Sequence, residues 1–134
     1  MKTKVFLSGG LSLSDCQSEV INKVGRESYI YFNPRMHLLN EASQYSIWDL
    51  HYVEKCDILF AYMQKENPSG FGLTLESGYA SALGKPIILI DEKSISDKEF
   101  CSRFKIVREI ASIVFDNLEE GIDFLKKMRN GILL

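Results

Sequence analysis

The chain reads as an α/β protein of the doubly wound kind, a parallel sheet of about five strands covered by helices on both faces. Three observations lead there. Short apolar runs recur along the whole length, at Lys4–Ser8, Tyr29–Phe32, Asp57–Tyr62, Pro86–Ile90 and Ser112–Phe115. These runs are nearly continuous in apolar residues rather than alternating, as expected of strands buried on both faces. Stretches with helical spacing separate the first four runs and follow the last one.

Each element has a local reason. Lys4–Ser8 ends in Gly9-Gly10, which turns the chain. Residues 14–24 follow a helical period, with Ser12 or Ser14 as N-cap and Gly25 as the stop. Tyr29–Phe32 is aromatic and β-branched, and Asn33-Pro34 ends it. A helix over about residues 45–55 carries Ile47, Trp48, Leu50, Tyr52 and Val53. After the third strand comes a loop, residues 64–71, rich in Asn, Pro, Ser and Gly; a helix then spans residues 73–83 and stops at Gly84. No element is assigned between Ile90 and Ser112, and a last helix covers residues 117–128. The pattern predicts a flavodoxin-like or Rossmann-like three-layer sandwich, whose ligand sits beyond the carboxyl ends of the strands. That rule points to Ser8-Gly9-Gly10, to residues 64–76 and to the region after Ile90.

The chain has 134 residues with no internal repeat or linker, so a single domain over 1–134 is expected. Folding at this size buries roughly two-thirds of the unfolded surface, enough for a core without disulfides or metals. The formal charge of −2 offers no basic excess, which argues against a nucleic-acid polymer as partner. Cys16, Cys56 and Cys101 are odd in number and far apart, as ordinary reduced thiols of a cytosolic protein would be. There is no signal-peptide pattern and no run near the roughly 20 apolar residues of a membrane helix. A soluble, cytoplasmic protein is expected, with no membrane partner.

The segment Asn67-Pro68-Ser69-Gly70-Phe71-Gly72 follows the third strand, where a binding loop belongs. Gly70 and Gly72 allow close backbone approach, and the loop runs into a helix N-terminus that favours an anion. Glu76 is placed in the first turn or so of that helix, where the dipole would hold a nucleophilic carboxylate ionised. An ordinary stabilising first-turn glutamate fits the same spacing. Asp49 lies on the preceding helix, where it is either a second carboxylate for proton handling or a solvated surface residue. Asp57 opens a strand at the far end and reads as structural. The Walker A pattern, a GxGxxG after the first strand and the GxSxG of hydrolases are all absent. His37 and His51 have no third ligand at metal spacing, so neither a metal nor a cofactor is expected. Phe6, Trp48 and Phe71 are candidates for stacking on a base; Lys85, Arg103, Lys105 and Arg108 are assigned to the surface.

Taken together, these segments resemble the nucleoside 2-deoxyribosyltransferase family, including the related nucleoside 5′-monophosphate N-glycosidases. The ordered series runs from Val5-Phe6-Leu7-Ser8-Gly9 through Cys56–Ala61, Asn67–Gly72 and Glu76-Ser77-Gly78-Tyr79-Ala80 to Gly84–Ile88. Asp49, eight residues before Asp57, matches the family's acid/base aspartate. The resemblance implies cleavage of the N-glycosidic bond of a nucleoside or its 5′-monophosphate. Glu76 would form a covalent glycosyl-enzyme, Asp49 would handle the proton, and the sugar would pass to another base or to water. It also implies substrate contacts from Phe6, Ser8, Gly9, Ser69, Gly70, Phe71, Gly72 and Ser112, with Ser69 and Ser112 as candidate phosphate contacts. A homodimer or larger homo-oligomer is expected, with the apolar end at residues 131–134 buried. Two positions depart from the family pattern. Phe6 stands where a tyrosine usually holds the nucleophile, and Gly70 stands where an Asp or Ser reads the sugar's 5′ end. Two other functions fit the fold: a nucleotide-binding module without chemistry, and an NAD glycohydrolase like the similarly folded Toll/interleukin-receptor domains.

Overall fold

The computed structural model describes residues 2–11 and 14–129. The alternative cap Ser12 and the apolar end 131–134 lie outside the described residues. In chain order the elements are β1 (Thr3–Gly9), α1 (Cys16–Val24), β2 (Tyr29–Phe32), a 3-10 turn (Pro34–Met36), α2 (Ala42–Lys55), β3 (Ile58–Met63), α3 (Phe71–Ala82), β4 (Ile87–Asp91), α4 (Lys98–Ile110), β5 (Ile113–Phe115) and α5 (Leu118–Arg129). The five strands form one parallel sheet in the order β2-β1-β3-β4-β5. This is the flavodoxin-like order, with its switch point between β1 and β3.

The continuous apolar strands have the predicted cause. Alternate side chains point to opposite faces of a strand, and both faces here are covered. Val5, Leu7, Phe60, Tyr62, Ile88 and Ile90 pack against α1 and α5. Phe6, Leu59, Ala61, Met63, Ile87 and Leu89 pack with residues of α2, α3 and α4. β3 is buried at every position, as the central strand must be.

Local chemistry moves several boundaries from their predicted places. Asp15, not Ser14, caps α1, its carboxylate accepting the Ser18 N–H at 3.1 Å. α2 begins three residues before Tyr45 and α3 two residues before Leu73. Asp57 is structural as expected, accepting the Lys4 N–H at 2.8 Å beside β1.

The largest difference is α4, in the stretch left unassigned after Ile90. Asp97 caps it by accepting the Phe100 N–H at 2.9 Å, and Phe104 and Val107 bury its inner face. Arg108, assigned to the surface, is half-buried on this helix and carries a specific partner. Its guanidinium donates to Asp91 at 2.7 Å, a carboxylate with no exposed surface that would be costly to leave unpaired. Lys85 likewise donates to the Cys56 carbonyl at 2.8 Å. Among the described residues, no helix is long and apolar enough to cross a membrane.

α5 meets the sheet at Gly121, where an added Cβ would fall 2.6 Å from Ile90 Cδ1 and 3.2 Å from Phe60 Cζ. Gly121→Ala is therefore expected to destabilise the fold by about 1–3 kcal/mol through overpacking. The shift of the urea unfolding midpoint measures it, and an unchanged midpoint would contradict so close a contact.

Candidate active site

A cavity of about 450 Å³ opens at the carboxyl ends of the strands, within the size range of small-molecule sites. Gly9 and Leu11 contribute from the end of β1; Pro34, His37, Leu39 and Asn40 come from the segment after β2. Tyr45 and Asp49 reach in from α2, and Gly72, Leu73 and Glu76 from α3. A second hollow of about 250 Å³ adjoins it, sharing Gly9, Leu11, Gly72 and Leu73, and is lined further by Gly10 and by Asn67–Phe71.

The two candidate carboxylates meet at this cavity. Glu76 is 7% exposed and accepts a hydrogen bond from the Ser8 hydroxyl at 2.6 Å. Because α3 starts at Phe71, Glu76 lies in the second turn rather than the first, beyond the strongest reach of the helix dipole. Burial pushes its carboxyl up to about 8, the facing Asp49 carboxyl adds to the rise, and Ser8 opposes it. Burial and the facing carboxyl thus favour keeping a proton on this pair, an influence that helix position alone does not report. Burial raises Asp49 as well, against the opposing influence of Glu76 and His37. Two close carboxyls in one buried place share a proton, and their titration belongs to the pair.

His37 is the residue that sequence reasoning passed over. It lines the cavity, with Nε2 3.9 Å from Asp49 Oδ1. Its segment, between the 3-10 turn and α2, has no periodicity to read, and the pair with Asp49 is twelve residues apart. The aromatic residues at 45, 48 and 52 were the available signal. Tyr45 stacks parallel to the imidazole and Trp48 meets it edge-on.

The other predicted residues divide. Ser8 and Gly9 sit at the end of β1 as expected, Ser8 holding Glu76 and Gly9 lining the cavity. Ser69, Gly70, Phe71 and Gly72 line the adjoining hollow. The first turn of α3 there has no side-chain cap, so its N–H groups are available to an anion. Gly70 adopts φ +75°, and a Cβ on it would strike Met63 Cε at 2.1 Å. Phe6 does not face the cavity: it is fully buried beneath Trp48, with ring centroids 6.2 Å apart, because its side chain points into the core below α2. Ser112 lies at the opposite end of the sheet. It precedes β5, and its hydroxyl accepts the Ile87 N–H at 3.0 Å, at the amino ends of the strands.

The raised carboxyl of Glu76 has a consequence for stability. In an unfolded chain it titrates near 4.5, in the folded chain at about 8. Between those values the folded state keeps a proton that the unfolded state has lost, so stability falls as pH rises through that window. Glu76→Gln removes this linkage. The variant is expected to lose less stability than the wild type between about pH 5 and pH 8 in urea unfolding. Equal losses in the two proteins would mean that Glu76 ionises normally when folded.

Comparison with known proteins places the fold. The fold is similar to that of a 2-deoxyribosyltransferase from Leishmania mexicana (TM-score 0.70, 15% identity, 93% of this chain and 97% of that one). It is also similar to a 2-deoxyribosyltransferase from Bacillus psychrosaccharolyticus (TM-score 0.68, 18% identity, 90% of each chain). A CMP N-glycosidase from Clostridium botulinum matches at TM-score 0.64 and 20% identity, over 92% of this chain and 98% of that one. No curated protein matches significantly in sequence. The family model described as nucleoside 2-deoxyribosyltransferase like matches residues 2–94, more than half of the chain, which therefore belongs to that family.

Proposed function

We propose that the chain, as a single domain, cleaves the N-glycosidic bond of a nucleoside or nucleoside 5′-monophosphate through a glycosyl ester on Glu76. The observation that carries this reading is the Glu76–Asp49 pair, two carboxyl groups with raised pKa values facing each other at a cavity of ligand size. With one proton between them, Glu76 attacks the anomeric carbon as a carboxylate while Asp49 gives the proton to a nitrogen of the departing base. The carbon–nitrogen bond breaks and its electron pair leaves with the base. A second base or water, deprotonated by Asp49, then displaces Glu76. Two displacements give retention at the anomeric carbon.

The Ser8–Glu76 hydrogen bond bears on the departure at Phe6. A hydroxyl still reaches the nucleophile from β1, two residues farther along on the same face. This favours an active enzyme over a binding module that has lost its chemistry. The uncapped start of α3 and Ser69, both at the adjoining hollow, fit a 5′-phosphate. The relatives named as deoxyribosyltransferases and as a CMP N-glycosidase are consistent with either acceptor.

An oligomer is supported by the outer side of α3, where Phe71 is 82% and Leu75 60% exposed and the helix has no charged residue besides the buried Glu76. A second copy covering this apolar side would extend over the cavity mouth. Light scattering is expected to give at least a dimer at micromolar concentration, with Leu75→Glu shifting it toward monomer; a monomeric wild type would refute the assembly.

The activity test uses nucleosides, 2-deoxynucleosides and their 5′-monophosphates, with and without a second free base, and chromatography of the products. Base release or exchange is expected from the wild type and at least a thousandfold less (~10³) from Glu76→Ala. Dependence on the added base separates transfer from hydrolysis. Nicotinamide release from NAD, with no turnover of the panel, would replace this reading by an NAD glycohydrolase.

A further inference from the structure

The imidazole of His37 is held in one orientation from several sides. Its side chain is 8% exposed, between the rings of Tyr45 and Trp48. The Leu39 N–H donates to Nδ1 at 2.8 Å. That bond follows a turn at Leu38, whose φ of +56° makes it the only non-glycine residue with positive φ among the described residues. Leu38 gains no burial there, since its side chain is 85% exposed. A leucine in the left-handed region without a packing reason marks a conformation kept for what it presents.

What it presents is a proton donor. An Nδ1 that accepts a backbone N–H leaves the ring proton on Nε2. Nε2 points toward Asp49 Oδ1, and that oxygen is buried with no hydrogen-bond partner among the described residues. The 3.9 Å gap is longer than a hydrogen bond, of the kind that closes when a substrate fills a site.

We propose that His37 is a positioning residue whose Nε2–H closes onto Asp49 Oδ1 as Asp49 delivers its proton to the leaving base. His37 keeps its own proton throughout; Asp49 loses one, the base nitrogen gains it, and the new carboxylate is held by the imidazole N–H. The interaction strengthens as charge develops on Asp49, so it acts on the transition state more than on the bound substrate. Asp49 is faced by Glu76 from α3 and by His37 from the segment before α2, and Ser8 of β1 reaches the pair through Glu76. This proposal rests on the reading of Asp49 as proton donor.

The test compares two variants on two leaving groups. His37→Phe keeps the aromatic packing and removes the donor; His37→Gln restores a side-chain N–H. Each is assayed on the best natural substrate and on a nitrophenyl glycoside of the same sugar, whose leaving group departs without a proton. In His37→Phe, kcat on the natural substrate is expected to fall roughly tenfold to hundredfold, the worth of a hydrogen bond to a charged group, with KM little changed. His37→Gln should recover part of the loss, and the nitrophenyl glycoside should be nearly unaffected. Equal losses on both leaving groups would reduce His37 to a structural residue and overturn the proposal.

A second arm needs no turnover. The chain has two histidines, so long-range proton–nitrogen NMR of the free protein is assigned with a single His51→Ala variant. The expected signature for His37 is the Nε2–H tautomer, with the Asp49 carboxyl titrating higher in His37→Phe than in wild type. An Nδ1–H tautomer, or an Asp49 titration indifferent to the substitution, would overturn the proposal. Should the wild type release no base from any substrate, the proposed function fails while this arm still decides the His37–Asp49 contact.

Discussion

Two carboxyl groups buried against each other cannot both carry charge at neutral pH, and the active end of this protein is arranged around that constraint. Glu76 and Asp49 come from different helices, and each alone would be better solvated on the surface. Packing α2 and α3 side by side on the same sheet face brings them together at the switch point, where the β1 end supplies the Ser8 hydroxyl. The outcome is a pair of carboxyl groups whose burial and mutual repulsion favour one shared proton. Bond cleavage at a glycosidic carbon needs one ionised oxygen and one protonated one, and a pair of this kind supplies both without a metal.

The scaffold explains why such a costly pair persists. β3 is buried along its whole length and β1 from Val5 to Ser8, so the ends that carry Ser8 and lead into the Asn67–Phe71 loop have little freedom. Asp91, at the end of β4, is neutralised by Arg108 and bonded by Ser94, and does not add a third negative charge to that edge of the sheet. Lys93 donates to the Asn67 carbonyl at 2.6 Å and lies over the Phe100 ring, which ties the loop before α3 to α4. Precise placement is thus drawn from rigid strands and from a few polar ties across loops.

Most of this was legible in the chain. Buried parallel strands announce themselves as unbroken apolar runs, and the carboxyl-end rule located Ser8, Gly9 and Glu76 before any coordinates. α4 was not legible because only Phe104 and Val107 of its thirteen residues are buried, and charged residues fill the intervals. The charge state of Glu76 could not be read either. Spacing reports a distance to a helix start; ionisation depends on what covers the carboxyl, which here is set by residues 37–49 and by β1. Ser112 was misplaced for a related reason. A serine near the last strand is close to the ligand only on the carboxyl side, and a three-residue strand puts the two sides a few residues apart.

Gly70 carries an implication for how this branch of the family diverged. Its Cα hydrogen faces the end of the Met63 side chain, so any larger residue must displace that thioether. Both the backbone φ of +75° and the Met63 thioether therefore stand against the Asp or Ser that the family resemblance puts there. The two positions are thus coupled: a side chain at residue 70 requires the Met63 thioether to swing aside, so the residue at 63 tunes what position 70 can accept.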